Sequence, residues 1–224
     1  MLTQTDTNKF ASQYQTTTDN VIKEHYQILV LDIFNKKGVF NHLIFKGGTA
    51  LRLAYNSYRF SEDLDFSIDK PFSFQQFQEL LNSIPLTLQE SNIQDLDNKK
   101  YTYFSRIVFN IEYKPVPIGI KIEVNKGDHQ VIATPAIVQS PFNNLSPIVR
   151  VANLESILQD KIQILEEQTR RQPRDLFDAW FITQKLGKPF EIKESYKYNK
   201  TELMNKLNPF IPNNLSYVLK YFEK

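Results

Sequence analysis

Two neighbouring strands and the turn between them set the framework for this chain. An apolar run at His42–Lys46 leads into a pair of glycines, and a helical pattern follows at Thr49–Tyr55. The next run, Asp63–Ile68, alternates between polar and apolar residues. Because side chains alternate along a strand, this run places Asp63 and Asp65 on one face. The order therefore predicts a strand, a glycine turn, a short helix and an acidic strand.

The paired glycines, Gly47 and Gly48, allow a tight turn that presents backbone N–H groups at the start of a helix. Such N–H groups suit phosphate oxygens, since a helix N-terminus carries partial positive charge. A plain strand-to-helix turn is the alternative for the glycines taken alone. A P-loop kinase or GTPase is disfavoured because no Gly-Lys-Ser/Thr sequence ends the turn.

The acidic residues predict a metal site. Carboxylates a few ångströms apart repel one another unless a cation lies between them. Glu123 lies on the polar face of a second alternating run, Ile118–Val124, and would join Asp63 and Asp65 in an oxygen-only site suited to Mg²⁺. Two such ions would serve the attacking and leaving oxygens of a phosphoryl displacement. An exposed acidic pair that keeps an edge strand from aggregating is the alternative.

The remaining patterns divide the chain into a mixed part and a helical part. Apolar residues at three- and four-residue spacing predict helices near 19–35, 74–81, 154–165 and 173–186. Alternation and a proline-containing bend predict an antiparallel hairpin from strands at 101–113 and 118–124. The turn-rich stretches 95–100 and 135–147 are predicted to be connections.

Composition limits the chemistry and the compartment. The absence of cysteine excludes disulfides, thiolate metal sites and a cysteine nucleophile. A formal charge of +2 is too mild to indicate nucleic-acid binding by itself. Basic residues do gather in one predicted helical region, at Lys161, Arg170, Arg171, Arg174 and Lys185. This cluster indicates a phosphate-facing surface, with a solvated helix face as the alternative. No apolar run approaches the ~18 to 20 residues of a membrane span, and the first twenty residues are too polar for a signal peptide. We expect a cytoplasmic protein without a membrane partner.

Two longer motifs resemble a known family. The run FKGGTALRLAYNSYRFSEDLDFSI, residues 45–68, is similar to the leading motif of the AbiEii-type nucleotidyltransferases, a toxin-associated branch of the DNA polymerase β-like superfamily. The run LQDKIQILEEQTRRQPRDLFDAW, residues 158–180, resembles that family's later motifs, a helical lysine followed by Arg-Asp-x-x-Asp. Many relatives carry a serine in the glycine turn, and an aspartate where this chain has Glu123.

The resemblance implies an α+β fold. A nucleotidyltransferase core with a mixed β-sheet flanked by helices is expected at 1–140, and a C-terminal helical bundle at 141–224. The implied cofactor is Mg²⁺, as one or two ions that Mn²⁺ would replace, and the implied substrate is an NTP. The expected metal ligands are Asp63, Asp65 and Glu123. The expected catalytic residues are Asp63, Asp65, Lys161 and Asp178. The expected nucleotide-binding residues are Gly47, Gly48, Thr49, Arg59, Lys161, Arg174 and Asp175.

Some of these residues have structural alternatives. Lys161 lies among apolar positions and would also satisfy its charge by extending to solvent. Arg174 and Asp178 are four residues apart on a predicted helix, which is the spacing of an intrahelical salt bridge.

The predicted activity is transfer of a nucleoside monophosphate from an NTP to an acceptor hydroxyl. The resemblance suggests an RNA acceptor such as a tRNA 3′ end, a toxin role in a bacterial toxin–antitoxin or phage-defence system, and a cognate antitoxin as partner. One alternative is a non-catalytic module that binds nucleotide, RNA or protein on the same fold. Another is a transferase that modifies a protein hydroxyl.

Overall fold

The chain folds around a mixed β-sheet, and the computed structural model describes residues 2–127, 131–167 and 169–224. The strands are β1 (Leu43–Lys46), β2 (Leu64–Ile68), β3 (Ser91–Asn98), β4 (Thr102–Phe109), β5 (Ile118–Asn125), β6 (Ala133–Ile137) and β7 (Ile148–Ala152). They form one sheet in the order β3-β4-β5-β2-β1-β7-β6. The pairs β2·β5 and β1·β7 are parallel, and the other neighbouring pairs are antiparallel.

Helices precede, interrupt and follow the strands. The α-helices are α1 (Gln4–Gln13), α2 (Thr18–Lys36), α3 (Gly47–Tyr55), α4 (Phe74–Thr87), α5 (Leu154–Glu166), α6 (Pro173–Lys185) and α7 (Lys200–Lys206). Short 3-10 segments lie at Val39–Asn41, Glu194–Tyr196, Asn208–Phe210 and Asn213–Phe222. None of the helices in the described ranges has both the length and the apolar character that crossing a bilayer requires. This architecture confirms the expected α+β fold.

The two faces of the sheet pack against different helices. On one face, Phe66 of β2 packs into a core with Phe34 of α2 and Phe77 of α4. On the other face, Ile44 of β1 joins a second core with Phe177 of α6 and other residues of the helices that follow β7. Side chains of β2 alternate between these faces. The apolar side chains of this strand are therefore buried in the first core, and its acidic side chain is directed toward the helices that follow β7.

Two stretches predicted to be connections contain strands. The first overlaps the end of β3, an edge strand whose exposed acidic and amide side chains obscure its alternation. The second contains most of β6 and leads to β7. Pro135 is tolerated in β6 because this edge strand pairs on one side with β7 and leaves its other side unpaired within the described residues. Strand β7 lies after residue 140 and belongs to the same sheet as the strands before it. The division into 1–140 and 141–224 remains a prediction.

Candidate active site

A row of polar side chains crosses the sheet where three strands meet α3. Lys46 of β1 is the pairing partner of Asp65 in β2, and Asp65 is the partner of Glu123 in β5. Because paired residues point to the same side of a sheet, these side chains lie next to one another. A cavity of about 270 Å³ covers the row, and Lys161 of α5 lies on its opposite wall. The sheet and α5 thus bring residues from distant parts of the sequence into one site.

The start of α3 is built around a close contact between a glycine and a carboxylate. Gly47 has φ +77°, a conformation that favours glycine. A Cβ atom at this position would overlap the Asp65 Oδ2 atom. Lys46 is the N-cap residue of α3 and supplies no side-chain cap within the described structure. The first N–H groups of this helix are therefore not capped by a side chain, and they lie beside Asp65.

The second glycine and the following threonine hold the acidic strand in place. A Cβ atom at Gly48 would overlap the Arg59 guanidinium, so glycine is needed here for close approach. Thr49 is buried, and its hydroxyl donates to the backbone carbonyl of Asp63 at 2.5 Å. The hydroxyl of Thr49 thus links α3 to the residue that precedes β2. The nucleotide contact predicted above for Thr49 would therefore use its backbone N–H.

The carboxylates on the sheet face carry unfavourable negative charge. Burial, together with the charges of Asp63 and Glu123, raises the pKa of Asp65 to about 7. Burial also raises the pKa of Asp63, and the nearby Lys121 opposes this effect. The protein thus keeps two carboxyl groups in surroundings that disfavour their charged form, and an added cation would relieve that cost.

A divalent cation fits this donor set only with help from a ligand. The donors are carboxylate oxygens, which Mg²⁺ prefers. Among the residues that the structure describes, no three His, Cys, Asp or Glu side chains stand together so as to hold an ion by themselves. Since Mg²⁺ commonly takes one or two carboxylates and completes its shell with water and phosphate oxygens, Asp63 and Asp65 are compatible with a site that forms together with a nucleotide.

A second group of charges lies above the sheet and is neutralised within the protein. The fully buried Asp178 accepts two hydrogen bonds from Arg59, at 2.8 Å from Nε and 2.9 Å from Nη2. The Lys161 Nζ lies 3.0 Å from the same carboxylate and 2.8 Å from Asp175. Although burial opposes both charges, Arg59 and Lys161 lower the pKa of Asp178, while Asp178 and Asp175 raise the pKa of Lys161.

The same group organises the start of α6. Pro173 occupies the first turn, and Asp175 completes a capping box by accepting a hydrogen bond from the Gln172 backbone N–H at 3.0 Å. The other carboxylate oxygen of Asp175 accepts from Lys161. Asp175 therefore fixes both the helix terminus and the lysine that lines the cavity.

Arg174 is engaged elsewhere. Its Nη1 atom donates to Glu62 at 3.3 Å, and its guanidinium lies 5.2 Å from the Phe210 ring centroid. The intrahelical pair with Asp178 is not formed, because Asp178 is directed to Arg59, 119 residues away in the chain. Arg174 lies close enough to Asp63 for its charge to oppose the rise in that group's pKa that burial causes.

Two basic residues of the site did not emerge as site residues from the sequence. Lys46 lines the cavity and forms an ion pair with Asp160 of α5 at 2.8 Å. Its position directly before the paired glycines was the available signal. Arg170 also lines the cavity. It belongs to the basic cluster noted above, which indicated a phosphate-facing surface without singling out one residue.

Comparison with solved structures agrees with this fold. MenT4, the nucleotidyltransferase toxin Rv2826c from Mycobacterium tuberculosis H37Rv, has a similar structure, with a TM-score of 0.66 and 15% identity over 99% of this chain and 88% of that protein. JHP933 from Helicobacter pylori is similar with a TM-score of 0.51 and 22% identity, over 71% of this chain and 65% of that one. At these identities the likeness shows the fold alone. A comparison with curated protein sequences gave no match.

The family assignment comes from the sequence as a whole. The family model described as "Nucleotidyl transferase AbiEii toxin, Type IV TA system" matches residues 29–206, which include the glycine turn, the acidic strand, Lys161 and the start of α6. The chain therefore belongs to the AbiEii family of nucleotidyltransferase toxins from type IV toxin–antitoxin systems.

Proposed function

We propose that this nucleotidyltransferase moves a nucleoside monophosphate from an NTP to an acceptor hydroxyl, with pyrophosphate as the leaving group. The observation that carries the proposal is the contact of Asp65 with Gly47 at the uncapped start of α3, in a cavity that Lys161 also lines. This contact supports a phosphate site next to a cation-receiving carboxylate. Phosphoryl transfer depends mainly on such positioning and charge neutralisation.

Asp63 and Asp65, with Glu123 from the neighbouring strand, are the proposed ligands of Mg²⁺, as one or two ions that Mn²⁺ would replace. When bound, the cation would neutralise charge on the transferring phosphoryl group. The support is the donor chemistry and the raised pKa of both aspartates, which indicates that the folded chain disfavours their negative charge when no cation is bound.

The N–H groups of Gly47, Gly48 and Thr49 are the proposed contacts of the phosphates. Lys161 would offset the charge that develops on pyrophosphate, and its raised pKa keeps it protonated at neutral pH. Arg174, which lies near Asp63, is the further proposed nucleotide contact.

Asp178, Arg59 and Asp175 are better described as positioning residues. Asp178 is fully buried and both its oxygens accept hydrogen bonds, so it would act through Lys161 and Arg59. Arg59 is 3% exposed and packs directly against Gly48. These contacts keep the lysine and the glycine turn at fixed positions relative to each other.

The acceptor hydroxyl is expected to approach Glu123. Both Glu123 and Asp178 are candidates for the group that orients this hydroxyl. Asp178 is inaccessible behind its two cations, whereas Glu123 lines the cavity on the sheet face. We therefore assign the orienting role to Glu123.

An RNA acceptor, with the tRNA 3′ end as the specific candidate, and a toxin role with a cognate antitoxin complete the proposal. Membership in a toxin family of type IV toxin–antitoxin systems supports the toxin role. MenT4, the structural relative described above, is likewise a nucleotidyltransferase toxin. The choice of RNA rests on the family resemblance.

The test is incorporation of label from each of the four NTPs, with Mg²⁺ or Mn²⁺, into total RNA and into an RNA-free protein extract. We expect labelled RNA with the wild-type chain and none with Asp65→Asn. The matched control is Asp69→Asn, which removes a carboxylate of the exposed Arg150 pair just after the same strand and should keep activity.

The other outcomes separate the alternatives. Label in protein but not in RNA would indicate a transferase acting on protein hydroxyls. Nucleotide binding without pyrophosphate release or label transfer, under all four NTPs and both metals, would indicate a non-catalytic module.

A further inference from the structure

The sheet face that holds the carboxylates is covered at one end and open at the other. Helix α5 lines the cavity above Glu123 and Asn125, at the carboxyl end of β5. One row earlier in the same strand, Lys121 is exposed, as is its neighbour Arg106 in β4. The opposite face of these two strands is buried in the core, so the exposed residues define a surface on the side of the active site.

This surface is continuous with the site through the sheet register. Glu123 is the pairing partner of Phe104, and Lys121 is the partner of Arg106. Neighbouring strands lie ~4.8 Å apart, so the backbone of Phe104 is about 5 Å from Glu123 and about 10 Å from Asp65. A chain lying on β4 and β5 would therefore end beside the group assigned to orient the acceptor hydroxyl.

The two cations of this surface are not neutralised by ion pairs within the described residues. Arg106 lies flat across β5, since a Cβ atom at Gly119 would be 2.9 Å from its Nε atom. Lys121 is near enough to Asp63 to oppose the rise in that group's pKa. Lys121 thus places positive charge beside the active site, and Arg106 places it farther along β5.

Phe104 offers an aromatic face beside these cations. Its strand neighbours Tyr103 and Ile107 point into the core on the other side of the sheet. Phe104 itself is half-buried on the site side, where the Lys99 ammonium lies 3.9 Å from its ring centroid. Because Lys99 is a flexible surface side chain, a nucleobase would be able to take its place on the Phe104 ring.

We propose that Phe104, Arg106 and Lys121 form the docking surface for the single-stranded 3′ end of the RNA acceptor; this inference rests on the proposed function. Arg106 and Lys121 would bind backbone phosphates, and Phe104 would stack a base near the terminal hydroxyl. We call these three residues the acceptor platform. Asp95 and Asp97 pair with Arg106 and Phe104 from the outer strand β3, and their charge would confine the RNA to β4 and β5.

The platform predicts a measurable loss of RNA binding. The probe is a fluorescently labelled single-stranded RNA of about 12 nucleotides, followed by anisotropy at several salt concentrations. We expect Arg106→Gln/Lys121→Gln to weaken binding about tenfold or more, and to reduce the slope of log K against log salt by roughly 1.4, which is 0.7 for each lost phosphate contact. Lys9→Gln/Lys188→Gln is the matched control, since it removes the same charge from exposed sites on other elements.

The aromatic part of the platform has its own variant. Phe104→Leu keeps an apolar side chain of similar size but cannot stack, and we expect about a tenfold loss of RNA binding. Binding of an NTP without RNA should stay unchanged in Phe104→Leu, which would show that the active site is intact.

The outcomes distinguish this proposal from the proposed function. If the wild-type chain binds the RNA but labels none, and the double variant loses binding, the transfer reaction is wrong and the platform stands. If the wild-type chain labels RNA while the double variant binds with unchanged affinity and salt slope, the platform is wrong and the reaction stands. A wild-type chain that does not bind the RNA would also overturn the platform.

Discussion

The carboxylates of this site fall into two groups with opposite electrostatics. Asp65 lies beside Asp63 and Glu123, and burial and these like charges raise its pKa to about 7. Asp178 is more deeply buried, yet Arg59 and Lys161 lower its pKa. The same chemical group is therefore disfavoured as an anion on the sheet and stabilised as an anion a short distance away.

The difference shows which part of the site the chain completes by itself. The helical group, Asp175 and Asp178 with Arg59 and Lys161, is neutralised by its own ion pairs. The sheet group, Asp63, Asp65 and Glu123, lacks this compensation in the protein alone. A group of that kind favours binding of an external cation, and it lowers the stability of the protein when no cation is bound.

The largest expected effect is on activity and concerns the sheet group. Asp65→Asn should lower kcat/KM for nucleotidyl transfer by at least about a thousandfold, equivalent to about 4 kcal/mol, because the variant would lose the proposed cation ligand at the reacting phosphate. Label incorporation measures this, with Asp69→Asn as control. Transfer within about tenfold of wild type would contradict the role of Asp65.

The helical group should show its largest effect in stability. Asp178→Asn leaves Arg59 and Lys161 buried without their shared counter-charge, so we expect the free energy of unfolding to fall by about 3–5 kcal/mol. Urea denaturation measures this loss. Asp69→Asn breaks the Arg150 pair, in which both side chains are 30% exposed, and should cost less than about 1 kcal/mol. Equal losses in the two variants would remove the distinction between buried and exposed pairs.

The contact between Gly47 and the sheet group gives a smaller effect. Gly47→Ala would strain a residue with φ +77° and displace Asp65, so we expect a loss of about 2–3 kcal/mol together with reduced transfer. Gly187 is the matched control, since it has φ +62° and an added Cβ there would meet nothing within 4 Å. Gly187→Ala should cost about 1 kcal/mol and leave transfer intact. Similar results for both variants would show that the Asp65 contact has no role.

The last effect is a dependence of stability on pH in the protein without metal or nucleotide. The pKa of Asp65 is raised from 3.8 to about 7, so the folded state holds a proton that the unfolded state releases. The stabilising contribution is complete below about pH 4 and is lost progressively as the pH rises from there through 7. The lowered pKa of Asp178 has the opposite sign, and its contribution is lost only on acidification below this window. Urea denaturation in EDTA from pH 4 to 8 should show the fall in wild type and a flatter profile in Asp65→Asn.

The sheet group was accessible from the sequence because it depends on local periodicity. Alternation in Asp63–Ile68 placed two aspartates on one face, and the paired glycines indicated a turn before a helix. The hairpin that carries Glu123 followed from alternation as well. These features require only neighbouring residues, and the structure contains each of them.

The helical group depends on contacts between distant segments, and the sequence did not predict them. Arg59 and Asp178 are 119 residues apart, and Lys46 and Asp160 are 114 apart. The i,i+4 spacing of Arg174 and Asp178 favoured a local pair, but the buried carboxylate takes the bidentate partner instead. Strand β3 was missed because an exposed edge strand with acidic side chains has the composition of a turn.

The most direct test of the difference between the two groups is binding of Mn²⁺, followed by electron paramagnetic resonance with a non-hydrolysable NTP analogue present. Wild type and Asp175→Asn, a variant of the helical group, should both remove free Mn²⁺ from solution in the presence of the analogue. Asp65→Asn should leave as much free Mn²⁺ as the analogue alone leaves. Equal binding by Asp65→Asn and wild type, or no binding by either beyond that of the analogue alone, would contradict a cation-receiving role for the sheet group.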